Sequence, residues 1–206
     1  MPPTKRRKAT ANSPDENDMP SKFPCPALSN SQIRFSYTIA RGEQGVLTFE
    51  PYKSILLPHW RFRTIPIAEE SSQILKFAFD HYVQQEDFVG ADMARKFIQM
   101  GMTRAKRYAN HKGGRKYDRT AREVEAEGGK RTELPKSQGH DGREEKLAVS
   151  EIFKEVWKRC TSDEGYIALR EKWQAEKKEW EKSGRKVKKE DVEIKKEIKE
   201  ESDDNG

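Results

Sequence analysis

Apolar residues recur at helical spacing in four stretches of the chain and lose that period at both ends. The first stretch, about 66–85, puts Ile67, Ile74, Leu75, Ala78, Phe79 and Tyr82 on one face, with Pro66 near its start and Thr64 as the expected cap. The second, about 91–110, aligns Met93, Phe97, Ile98, Gly101, Ala105 and Tyr108 toward a core. An interior glycine costs roughly 1 kcal/mol against alanine, so Gly101 implies a close contact with another helix. A third helix, about 147–160, carries Ile152, Phe153, Val156 and Trp157, and a fourth, opened by a Thr161–Glu164 capping box, carries Tyr166, Leu169, Trp173 and Trp180.

Outside these stretches the pattern changes. Residues 46–50, VLTFE, are β-branched and aromatic between Gly45 and Pro51 and predict a short strand. Residues 51–64 hold too many prolines for a long helix and too many large apolar groups for a free loop, so they are expected to wrap on the core. The class predicted is α+β, predominantly helical, with about four amphipathic helices and a small N-terminal strand element in one domain over 33–182. Residues 119–145, rich in Gly, Glu, Lys and Arg without a period, read as a surface loop or insertion. The basic, proline-rich arm 1–32 and the Lys/Glu-rich tail 183–206 have no burial to offset the entropy of ordering and are expected to be disordered, the tail as nascent helix or coil.

Composition agrees with one modest core: 33% of residues are hydrophobic and 37% charged, below the apolar share of an ordinary domain. Cys25 and Cys160 stand apart from each other and from any ligand-like histidine spacing, which argues against a disulfide framework or a cysteine zinc site. Nothing calls for a metal or cofactor. No apolar run is long enough to cross a bilayer, and an intracellular, reducing location is expected, without a membrane partner.

The net charge of +6 is concentrated. Between Arg95 and Arg119 nine Lys or Arg face the single acid Asp118, which leaves the rest of the chain slightly acidic. A projection at 100° per residue puts Arg95, Lys96, Lys106 and Arg107 on the solvent arc of the second helix. Such a face either lies along a phosphate backbone or is an ordinary solvated surface. The following loop, HKGGRKYD, favours the first reading, because His111, Lys112, Arg115 and Lys116 surround a Gly113–Gly114 pair through which backbone can approach a ligand, with Tyr108 and Tyr117 to stack on bases. The predicted partner is nucleic acid or another polyanion. Arg104 projects into the core sector and requires a carboxylate partner or a pocket.

The stretches RGEQGVLTFEPYKS (41–54), LPHWRF (57–62), GADMARKFIQMG (90–101) and TRAKRYANHKGGRKYD (103–118) resemble an uncharacterised family catalogued as domain of unknown function forty-three eighty-five. The later pattern Ile152, Phe153, Trp157 and Tyr166 to Trp173 is similar to its C-terminal portion, so the resemblance spans about 33–180. It implies a domain and no activity.

Further candidates lie outside the basic segment. Arg41 and Glu43, with His59, Arg61 and Arg104, are the set from which a cleft for acid–base work on a small anionic or nucleotide-like substrate would be built, although a turn with a packed Trp60 explains the same residues. Lys5, Arg6, Arg7 and Lys8 form an import-like cluster, which favours the nucleus over the cytoplasm. Lys188, Lys195 and Lys199 each fit the hydrophobic-Lys-any-Glu form used for SUMO conjugation, so import and SUMO machinery join the expected partners. Three readings stay open: a polyanion-binding module, an enzyme, and an interaction adaptor using Trp173 and Trp180.

Overall fold

The computed structural model describes residues 23–39, 44–137 and 139–203, the side chains of Gln44 and 185–203 excepted. Among these residues the regular structure is helical throughout: α1 (Pro26–Ser29), α2 (Ser31–Ser36), α3 (Gln44–Leu47), α4 (Tyr52–Leu56), α5 (Ile65–Gln84), α6 (Phe88–Asn110), α7 (Ala121–Glu127), α8 (Arg143–Thr161) and α9 (Glu164–Asp203).

The expected α+β class is therefore corrected to all-α. Residues 46–50 form no strand. Gln44–Leu47 make a single helical turn, and Val46 is buried. A strand needs a neighbour to satisfy its backbone groups, and the described residues offer this segment none, whereas a helical turn satisfies them locally.

α6 is the central element, since fourteen of its 23 residues are buried. It packs most extensively on α8 and then on α5. Asp87 caps it, accepting from Gly90 N at 3.1 Å. Two glycines set the helix approaches: a Cβ on Gly101 would meet Phe153 Cδ1 at 2.6 Å, and one on Gly90 would meet Tyr82 Cδ1 at 2.4 Å. The close contact expected at Gly101 is thus the α6–α8 crossing.

α9 covers the remaining side. Its N-cap is Asp163, whose Oδ1 accepts from Tyr166 N at 2.8 Å. Thr161 instead donates back to Trp157 O at 3.0 Å, so the predicted Thr161–Glu164 capping box does not form. Trp173 is buried, stacks toward Phe88 and donates from Nε1 to Arg34 O at 3.1 Å. An Arg34–Glu176 ion pair and a Lys177 bond to Tyr37 O tie the segment 31–37 to the same helix. Trp180 stays 39% exposed and stacks on Phe35, so the aromatic stripe is mostly spent on internal packing.

Candidate nucleic-acid interface

Because α6 is buried along its first four turns, the basic segment separates into a buried part and an emergent part. Arg95 and Lys96, predicted on the solvent arc, are both inside. Arg95 Nη2 and Nε bond Asp92 Oδ1 at 2.7 and 2.9 Å, and Nε also reaches Tyr166 Oη at 3.0 Å. Tyr37 Oη donates to Asp92 Oδ2 at 2.6 Å and Tyr166 Oη to Oδ1 at 2.7 Å. Lys96 is 4% exposed, with burial and the nearby Arg95 and Arg170 lowering its pKa against the pull of Asp92. The arc that looked solvent-facing is the surface on which α9 docks. Arg104 is half-buried and has an interaction partner.

The two buried aspartates of this region, Asp92 and Asp87, respond oppositely to burial. Burial pushes the Asp92 carboxyl up, but Arg95 and the Tyr37 and Tyr166 hydroxyls outweigh it and hold the pKa below its ordinary value. Burial pushes the Asp87 carboxyl up and outweighs the bonds from Tyr52 Oη and Gly90 N and the more distant pull of Arg34, so its pKa is raised.

α6 emerges from the core at Lys106, Arg107 and Tyr108. Tyr108, expected on the buried face, is 37% exposed. His111 is buried, with Nδ1 lacking a hydrogen-bond partner, and so leaves the phosphate-contact set. The Gly113–Gly114 turn takes left-handed backbone (φ +68° and +71°). Its second glycine is buried beneath the Tyr108 ring rather than open to a ligand, so the pair positions an aromatic side chain. Arg107 Nε locks this turn by donating to Gly114 O at 2.7 Å.

Residues 115–137 fold back as a strap. Asp118 N donates to Thr132 O at 3.1 Å, Leu134 N to Lys116 O at 2.9 Å and Ser137 N to Asn110 O at 2.8 Å. A capping box at Thr120–Glu123 opens α7. Strap and turn together enclose a cleft of about 480 Å³ lined by Arg107, Arg115, Lys116, Arg119 and Arg131 against the one acid Glu123. Arg119 closes the basic segment marked in the sequence, whereas Arg131 comes from the stretch read as a surface loop or insertion and reaches the site through the pairing that brings it back to Tyr117.

Tyr117 sits in this cleft with Arg131 over its ring at 4.6 Å and Lys116 at 5.2 Å. Two cations therefore already lie against the ring that was expected to stack on bases. Lys116 also pairs with Glu133 at 3.2 Å, which raises its pKa, and Arg119 lies 4.0 Å from Glu127. Both pairs are solvent-exposed, so water and salt screen them and they hold the cations only weakly. Lys112, exposed, lies beside the strap, its N–H on Ser137 Oγ at 3.1 Å.

His59 and Arg61 line a separate cleft of about 400 Å³ with Glu70. Arg41 and Glu43 lie outside the described residues, as do Lys5, Arg6, Arg7 and Lys8. Lys188, Lys195 and Lys199 fall within the span of α9, with side chains outside those described. No group of three or more metal-ligating side chains occurs among the described residues, and none of their helices is long and apolar enough to cross a membrane.

A family described as a domain of unknown function (DUF4385) matches residues 22–176, from α1 to the buried part of α9. No curated protein and no solved structure matches the chain. The strap, the glycine turn and all the helices that position them lie inside that match, and the chain belongs to this domain-of-unknown-function family.

Proposed function

We propose that the protein binds nucleic acid through the cleft between the Gly113–Gly114 turn and the strap. The observation that supports this reading is the convergence of five cationic side chains from α6, the turn and the strap on one site with a single lining carboxylate. Each guanidinium carries five N–H donors. Arg107 and Arg115 spend one and two of theirs on backbone carbonyls, which holds the fork in place and leaves the rest for phosphate oxygens. Contacts of this kind position a backbone and carry little sequence information, so affinity should depend steeply on salt and weakly on sequence.

The buried Arg95, Lys96 and His111 play no part in this reading, and Lys106 and Lys112 extend the basic rim. A salt-titrated binding assay with single-stranded DNA, duplex DNA and RNA tests it, with polyphosphate as a non-nucleic polyanion. An affinity for polyphosphate equal to that for every nucleic acid would replace nucleic acid by a general polyanion. Absence of binding even at low salt would reject the reading.

A further inference from the structure

One residue beyond Arg107, α6 presents Tyr108 to a second cleft of about 470 Å³, lined by Arg61, Phe62, Arg63, Ile67, Tyr108 and Lys146. This is within the size range of small-molecule sites. The Phe62 and Tyr108 ring centres are 6.2 Å apart and inclined at 53°, so they form two walls and not a closed stack. Arg61 and Arg63 are exposed at the rim, and no carboxylate lines the cleft.

Lys146, from the first turn of α8, reaches into this space. Its Nζ donates to Phe62 O at 2.9 Å and Arg63 O at 2.6 Å and lies 5.7 and 6.0 Å from the Phe62 and Tyr108 ring centres. An ammonium has three N–H donors, and these two carbonyls take two of them. Desolvation lowers the Lys146 pKa, with Glu145 opposing and Arg63 reinforcing, as expected for a cation in a partly apolar setting. One donor therefore remains unspent beside two aromatic walls and two arginines.

We infer that this cleft takes one unstacked nucleotide, its base against Tyr108 and Phe62 and its phosphate on Lys146, Arg61 and Arg63. The inference rests on the nucleic-acid reading of the neighbouring cleft and sharpens it: a base inside a duplex has no free face to offer, so the strand recognised is single. The two sites are linked through the Gly113–Gly114 turn, since Gly114 accepts Arg107 of the first cleft and supports the Tyr108 ring of the second.

The test uses the full chain and a fluorescent single-stranded oligonucleotide, with its duplex, a nucleoside monophosphate and ribose 5-phosphate as competitors. The nucleoside monophosphate is expected to compete where ribose 5-phosphate does not, and the single strand to bind more tightly than the duplex. Tyr108→Ala should weaken binding roughly five- to a hundred-fold, the range of a lost base–aromatic stack. Arg63→Gln, at an exposed residue, should weaken the nucleoside monophosphate without disturbing the fold.

If both variants bind like wild type and duplex matches single strand, while reversing Arg115, Lys116 and Arg131 weakens binding, the nucleotide pocket is overturned and the cationic cleft stands. If charge reversal is silent yet the nucleoside monophosphate still binds in a Tyr108-dependent way, the pocket stands as a small-molecule site and the cleft reading fails. If no nucleic acid or nucleotide binds, both are overturned.

Discussion

The phenol ring of Tyr108 fills the space that a side chain at residue 114 would occupy, because a Cβ on Gly114 would stand 2.8 Å from Tyr108 Cζ. Gly113 shares the left-handed backbone (φ +68°) but faces open space. The two alanine variants therefore separate backbone strain from collision. Gly113→Ala is expected to lose about 1–2 kcal/mol from the left-handed conformation alone. Gly114→Ala should lose more and also weaken oligonucleotide binding by moving Tyr108. Thermal unfolding and a binding titration on both variants check this, and equal effects on the two would dismiss the positioning role of Gly114.

Gly101→Ala runs against helix propensity. Alanine should gain roughly 1 kcal/mol in an exposed helix interior. Here its Cβ would meet the Phe153 ring at 2.6 Å in the tightest part of the α6–α8 contact. Overpacking of a closed core costs about 1–3 kcal/mol, so a net loss of stability is expected by urea unfolding. A stabilised variant would show that α8 can move aside.

The two buried aspartates predict opposite pH behaviour. Asp92 titrates below its ordinary value in the folded chain, so its stabilising contribution is complete above the ordinary carboxylate range and is lost as pH falls through the folded pKa. Asp87 titrates above its ordinary value, so stability falls as pH rises from the ordinary value through the raised one. Asp92→Asn leaves Arg95 buried without its counter-charge and should cost about 3–5 kcal/mol at neutral pH. Asp87→Asn keeps one acceptor and removes a poorly compensated charge, and should cost about 1 kcal/mol. The gap should narrow toward pH 4 in denaturant titrations; a larger loss for Asp87→Asn would contradict the assignment.

Reversing Arg115, Lys116 and Arg131 to Glu should weaken single-strand binding and flatten its dependence on log salt by about 2 in slope, at roughly 0.7 per lost phosphate contact. Arg95→Met, by contrast, should lower the melting temperature and leave the salt slope of the surviving folded protein unchanged. A salt slope that falls with Arg95→Met would return the buried segment to the interface.

The helical period located α5, α6, α8 and the start of α9 because one-sided burial is written into i, i+3, i+4 spacing, and Gly101 signalled a close crossing because a missing Cβ is a local fact. Local composition also marked the stretch around Gly113–Gly114 as the basic, aromatic end of α6. Whether the second face of α6 is covered was not a local property: it depends on Tyr166, some seventy residues later, docking against Arg95 and Asp92. The same holds for residues 46–50, whose β-branched pattern had no partner strand among the described residues, and for Arg131, which reaches the cleft only because the strap pairs residue 117 with residue 133. Sequence by itself located the four long helices and the dense positive charge, but not the short helices within 26–36, 44–56 and 121–127, which fall where a disordered arm, a strand and a loop were expected. Tertiary packing decided which charges stay in water, because a cation's role is set by the distant surfaces that bury it or leave it exposed.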